Sequence, residues 1–152
     1  MYLAELREEV SQGDIFQDLV YQYITQDAQD PEPRILSRVL RAMLLTYDCE
    51  YDKRDAAFVY VGELRPLEEI SASTRGHVRS RRVLNTFSLE THERLPEEFY
   101  VDFRRILRLT KSAVAQSSLS GNRVVSLSDT SRLALQQQMS LFFGFERDRP
   151  AD

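Results

Sequence analysis

Asp102 and Arg104 stand two residues apart in the run Tyr100-Val101-Asp102-Phe103-Arg104. On an extended strand that spacing sends both side chains to one face. A carboxylate beside a guanidinium can take up a proton next to an anion clamp. It can also be a rim salt bridge worth about 0–1 kcal/mol. Arg75, Arg79 and Arg82 fall in a second basic stretch, Arg75-Gly76-His77-Val78-Arg79-Ser80-Arg81-Arg82. That stretch reads either as a solvated loop and helix end or as an arm that contacts phosphates. Asp48, Glu50 and Asp52 alternate and could share a face that attracts Mg²⁺ or a basic partner; the plainer reading is a solvated hairpin turn. Cys49, set among acids and without a neighbouring base, reads as a poor nucleophile, and His77 and His92 read as surface residues.

The rest of the composition narrows the field. One cysteine excludes an internal disulfide and suggests a reducing, cytoplasmic setting. One cysteine and two distant histidines offer no zinc spacing, and phosphate-loop, dinucleotide, zincin and nucleophile-elbow motifs are absent. No apolar stretch approaches the roughly 20 residues of a membrane span, and the acidic N-terminus lacks a signal-peptide core. The net charge of −4 is uneven: residues 1–32 hold eight acids and one base, so the remainder has 19 bases against 16 acids. A mildly basic body can hold a polyanion locally but lacks the excess of a general nucleic-acid binder.

The chain length suits one domain, residues 1–152. Its centre is a pair of apolar runs, 39–47 and 56–64, of strand length, flanking the charged turn 48–55. They read as a hairpin buried on both faces, as in a small closed barrel. Residues 1–10 read as a short amphipathic turn or helix, 15–24 as a strand, and 25–33 as a loop containing Asp30-Pro31. Pro66 opens a helical insert through 80. Strands follow at 83–89, 99–109 and 122–127, the second with a bulge near Arg104-Arg105 where its alternation changes phase. A short helix falls within 111–120. Ser128 caps a C-terminal helix whose Leu135, Met139, Phe142 and Phe143 form one apolar stripe; Gly144 is placed to end it, leaving 146–152 as a frayed tail. The fold expected is mainly β: a barrel of five to seven strands with a helical insert and a C-terminal helix.

This order of elements resembles the MazF/PemK family of toxin endoribonucleases, small SH3-like barrels. Gly13-Asp14-Ile15-Phe16 is similar to that family's opening Gly-Asp-Ile, and Arg41-Ala42-Met43-Leu44-Leu45 to its Arg-Pro and apolar strand. Phe58 to Pro66 is similar to its next strand, Tyr100 to Ile106 to its Asp-Gln-Ile-Arg strand, and Val125 to Ser128 to its closing Leu-Ser before a helix. The resemblance implies RNA cleavage without metal or other cofactor. The substrate's 2′-hydroxyl attacks its own phosphate, helped by a base, an acid and a cation. It implies Arg41 as the cation; for the same reaction the strand spacing offers Asp102 and Arg104 as base and phosphate clamp, and the basic stretch offers Arg75, Arg79 and Arg82 as substrate contacts. It further implies an RNA substrate, an antitoxin partner and a homodimer, to which Phe142, Phe143 and Phe145 could lend a buried patch. The chain departs from the pattern at Ala42 in place of Pro, at Leu64-Arg65 in place of a catalytic hydroxyl, in the insert 67–82 and in the acidic turn 47–53. Those departures suit the alternative reading, a catalytically inactive barrel that binds protein within a mobile-element or defence system.

Overall fold

Leu40, Ala42 and Leu44 project to one side of their strand, Met43 and Leu45 to the other, and all five are buried. A strand with no polar side needs cover on both faces. The computed structural model, which describes the backbone of residues 1–27 and 30–147, shows where that cover comes from. Among the described residues six strands form one antiparallel sheet: β1 (Asp14–Asp27), β2 (Asp30–Leu44), β3 (Phe58–Pro66), β4 (Thr86–Leu89), β5 (Phe99–Thr110) and β6 (Arg123–Ser126). Their order is β4-β5-β3-β2-β1-β6. Helices α1 (Asp48–Tyr51), α2 (Ala72–Arg79), α3 (Lys111–Leu119) and α4 (Asp129–Arg147) lie between or after them.

The expected mainly-β fold, with a helical insert and a C-terminal helix, is therefore present. The sheet is not closed: β4 and β6 are its free edges. It nevertheless curls, because Phe87 and Leu89 of β4 and Val124 and Val125 of β6 enter one core with Leu135 and Met139 of α4. A second core on the opposite face joins Phe16, Leu19, Ala42, Val59 and Val61 to Val114 of α3 and Tyr51 of α1. A third, smaller cluster of Leu67, Val78 and Tyr100 lies under α2.

Several local expectations give way. Residues 25–33 are not a long loop, because β1 runs to Asp27 and β2 starts at Asp30. β2 pairs mainly with β1, from Asp30 to Met43, and meets β3 only through Ala42, Met43 and Leu44. The β-branched and aromatic residues from Val20 to Thr25 extend the strand, and prolines 31 and 33 are tolerated because β3 pairs with β2 only from Ala42 onward, leaving this half of β2 with one side on which no N–H is needed. The turn 48–55 contains the short helix α1, so Asp48, Glu50 and Asp52 do not alternate on one face. Residues 1–10 form no helix; Tyr2 bridges to Leu127 instead. Ser128 does cap α4, its hydroxyl accepting from the Ser131 amide at 3.3 Å. Gly144 does not end that helix, which continues to Arg147; one glycine inside a helix costs only about 1 kcal/mol. The Phe145 side chain and the tail from 148 lie outside the described residues.

Two features fix how the sheet is joined. The expected bulge is real: Gly62 faces Ile106 while Leu64 faces Val101, so residues 102–105 lie opposite Glu63 alone. The other feature is a buried polar hub at the start of β1. The Asp14 carboxylate is fully buried. It accepts from the Ser126 hydroxyl at 2.6 Å, the Ser11 amide at 2.9 Å and the Arg123 guanidinium at 3.0 Å. Arg123 also donates to the carbonyls of Arg7 at 2.6 Å and Glu9 at 2.7 Å. One ion pair thus ties β1, β6 and the N-terminal segment together.

Candidate binding cleft and the arginine positions

Alternation along β5 places each expected site residue. Phe99, Val101 and Phe103 enter the core under α4, whereas Tyr100 faces α2. Asp102, between Val101 and Phe103, faces away from α4. Its carboxylate accepts from Arg104 three ways, from Nη2 at 2.7 Å, Nε at 2.9 Å and the amide at 3.0 Å, and from Asn85 Nδ2 at 3.1 Å. Burial works to raise the Asp102 carboxyl, but these hydrogen bonds outweigh it and hold the group below the ordinary carboxylate range.

A carboxylate held in its charged form by four donor contacts is a weak proton acceptor. Its stability contribution is present above the unfolded aspartate pKa, about 3.9, and is lost as pH falls through the lower folded value. Asp102→Asn should therefore be less stable than the parent near pH 7, with the gap closing below about pH 4. The effect should be modest, because Arg104 is largely exposed. Urea midpoints across that range would check it; a gap independent of pH would refute the pairing.

Arg41 is not beside this pair. Its guanidinium lies over the ring of Phe99, 5.0 Å from the centroid. Phe99 belongs to the core under α4, so Arg41 and Asp102 are directed to opposite faces of the sheet. The structure brings Asp102 and Arg104 together and leaves Arg41 apart. Two members of the basic stretch are occupied within the fold. Arg75 donates to the carbonyls of Ile70 and Glu68, each at 2.8 Å. Arg79 makes a two-pronged contact with Glu98 at 2.6 and 2.8 Å. Arg82 is exposed. Of the acidic turn, Asp48 accepts from the Gln12 amide and Arg132, and Glu50 from Lys53. No cluster of metal-ligating side chains occurs among the described residues.

A concavity bordered by Arg104 lies on the face that α4 only partly covers. It is an open cleft of about 1110 Å³ between α4, the free half of β3 and the far half of β5. Its residues follow from the strand pattern. Val59 and Val61 fill the second core, so Phe58 and Tyr60 must face the cleft, where they are 49% and 51% exposed. The bulge at 102–105 resets β5, so that Ile106 and Arg108 face the cleft while Leu109 is buried with the second core. Arg108 lies over the Phe58 ring at 4.6 Å, a contact worth about 0.5–1 kcal/mol at an exposed site. Among the described residues Arg108 has no carboxylate partner. Phe103, Phe142 and Phe143 form an aromatic cluster at the α4 side, with Phe142 and Phe143 edge to face at 5.1 Å.

Sequence reasoning assigned Phe58 and Tyr60 to a buried strand and gave Arg108 no role. The available signal was the strict alternation Phe58-Val59-Tyr60-Val61, which with one buried face leaves two aromatics on the other. No protein-family model, no curated protein and no solved structure matches this chain.

Proposed function

We propose that this chain is a PemK/MazF-like protein that binds single-stranded RNA along the cleft beside β3. The observation that carries the reading is a pair of half-exposed rings, Phe58 and Tyr60, next to Arg108, a guanidinium without a carboxylate partner among the described residues. Unpaired bases stack on aromatic faces and arginine planes, while guanidinium groups hold the phosphates. Arg104 lines the same cleft, although Asp102 offsets its charge. Binding is better supported than cleavage. The expected base is tied up by Arg104 and Asn85, and Arg41, over Phe99, is directed to the opposite face of the sheet from Asp102. An endoribonuclease step would have to recruit Asp102 out of its contacts.

A second reading, capture of an apolar partner segment such as that of an antitoxin, is favoured by Phe143 and Tyr47 at the cleft wall. Fluorescence anisotropy with a labelled 12-nucleotide RNA, read alongside a gel for cleavage, separates the possibilities. Tyr60→Ala should weaken binding by the worth of one stacked base, about 1–3 kcal/mol, or roughly 5- to 150-fold. Arg108→Ala should weaken it and flatten its salt dependence by about 0.7 in slope. Absence of binding at low salt, or binding indifferent to both substitutions, removes the RNA reading. Cleavage by the parent chain would restore the nuclease reading.

A further inference from the structure

Base stacking and phosphate contact leave two polar side chains of the cleft, Thr46 and Glu50, without a role. Thr46 follows the end of β2. The Leu45 amide donates to the Tyr60 carbonyl at 2.9 Å, but the Leu45 carbonyl is taken by the Gln12 side chain at 2.7 Å. The Tyr60 amide therefore turns to the Thr46 hydroxyl oxygen, at 2.7 Å. That contact holds Thr46 beside the residue that presents its ring to the cleft. A hydroxyl that accepts once still has a hydrogen to donate, and this one meets no acceptor among the described residues.

Glu50 follows in α1, its amide on the Tyr47 carbonyl at 2.9 Å. Lys53 holds its Oε1 at 2.6 Å, and Oε2 has no partner among the described residues. Among those residues Glu50 is the one carboxylate bordering the cleft, where the cations are Arg104 and Arg108. A carboxylate beside a bound polyanion repels it, so phosphate contact gives no reason for its place. Base reading does, because an acidic side chain accepts from the N–H groups on a base edge.

The pairing edge of guanine presents an acceptor and then two donors: O6, N1–H and the N2 amine. Thr46 and Glu50 together offer one donor and two acceptor oxygens. Adenine, cytosine and uracil each place a single N–H group next to acceptors, so the same two side chains meet them only twice. We infer that this end of the cleft selects guanine in single-stranded RNA. Tyr60 stacks the base, Glu50 accepts from N1–H and the N2 amine, and Thr46 donates to O6. The inference rests on the RNA reading of the cleft and names the base that is read. Lys53 does not block it, because each carboxylate oxygen accepts more than one hydrogen bond and the ion pair is exposed and weak.

Fluorescence anisotropy with 12-nucleotide RNAs, all uridine except for one central position, tests the selection apart from the binding. Guanine at that position should bind roughly 5- to 150-fold more tightly than adenine, cytosine or uridine, the discrimination of one good bidentate contact. Inosine, which lacks the N2 amine, should fall between guanine and uridine. Glu50→Gln should lose most of the guanine preference. By removing a like charge it should also tighten binding of the all-uridine RNA, by up to about fivefold. Circular dichroism should not change, because the Glu50 side chain is exposed and bonds only Lys53. Equal binding of all four bases by the parent chain overturns the inference and leaves the RNA reading standing. So does a guanine preference that survives Glu50→Gln at full strength. Binding of none of these RNAs at low salt removes the RNA reading, and the guanine selection with it.

Discussion

Asp14→Ala should destabilise the chain by about 3–5 kcal/mol. Removing the carboxylate leaves the Arg123 guanidinium, only 9% exposed, without its counter-charge. It also strands the Ser126 hydroxyl and the Ser11 amide, both bonded to the buried Asp14 carboxylate. Each buried donor left unmet costs about 1–3 kcal/mol. The carbonyls of Arg7 and Glu9 still hold Arg123, which keeps the total within that range. Asp14→Asn should not rescue. The amide can present one acceptor, but its NH₂ then meets donors from Ser11, Ser126 or Arg123. Urea unfolding would show a lower midpoint with an unchanged slope, the mark of lost stability rather than a changed denatured state. A loss below about 1 kcal/mol would mean that water solvates the site and that the hub is not what joins β1 to β6.

The parts of this fold that were legible in the sequence are those set by local pattern. The apolar stripe of α4, its Ser128 cap and the double burial of residues 42–45 follow from spacing alone. So does the bulge in β5, because Phe99, Val101 and Phe103 keep one phase and Leu107 and Leu109 another. What could not be read depends on long-range pairing. Asp30-Pro31 looks like a loop until β1 supplies a partner strand, and local composition does not reveal that partner. Asp102 and Arg104 were recognisable as a contact, since two residues on one strand need only the strand. Arg41 could not be placed against them, because its face is set by the β2–β3–β5 register and the slip at Gly62. The cleft was hidden for a related reason: Phe58 and Tyr60 look like core residues until the reach of α4 across the sheet is known.

Gly62→Ala should cost about 1–3 kcal/mol although it adds a single methyl group. Gly62 lies where β3 passes the β5 bulge, paired with Met43 on one side and Ile106 on the other. A Cβ there would fall 2.2 Å from Val101 Cγ1 and 3.3 Å from Leu45 Cδ1. Carbon atoms prefer about 3.5–4.0 Å, so Val101 or the β3 backbone has to move by more than 1 Å. Neither has room: Val101 is fully buried and Leu45 nearly so, and interiors at crystal-like density transmit such strain. The cause can be isolated with Val101→Ala, which deletes the clashing Cγ1. Alone it should destabilise by leaving a cavity. Combined with Gly62→Ala, the added methyl enters space vacated by Val101 Cγ1, and the double variant should be more stable than the sum of the singles by about 1 kcal/mol or more. Strict additivity would show that the strands separate to admit the methyl, and that the close passage of β3 over β5 is not what requires glycine at this position.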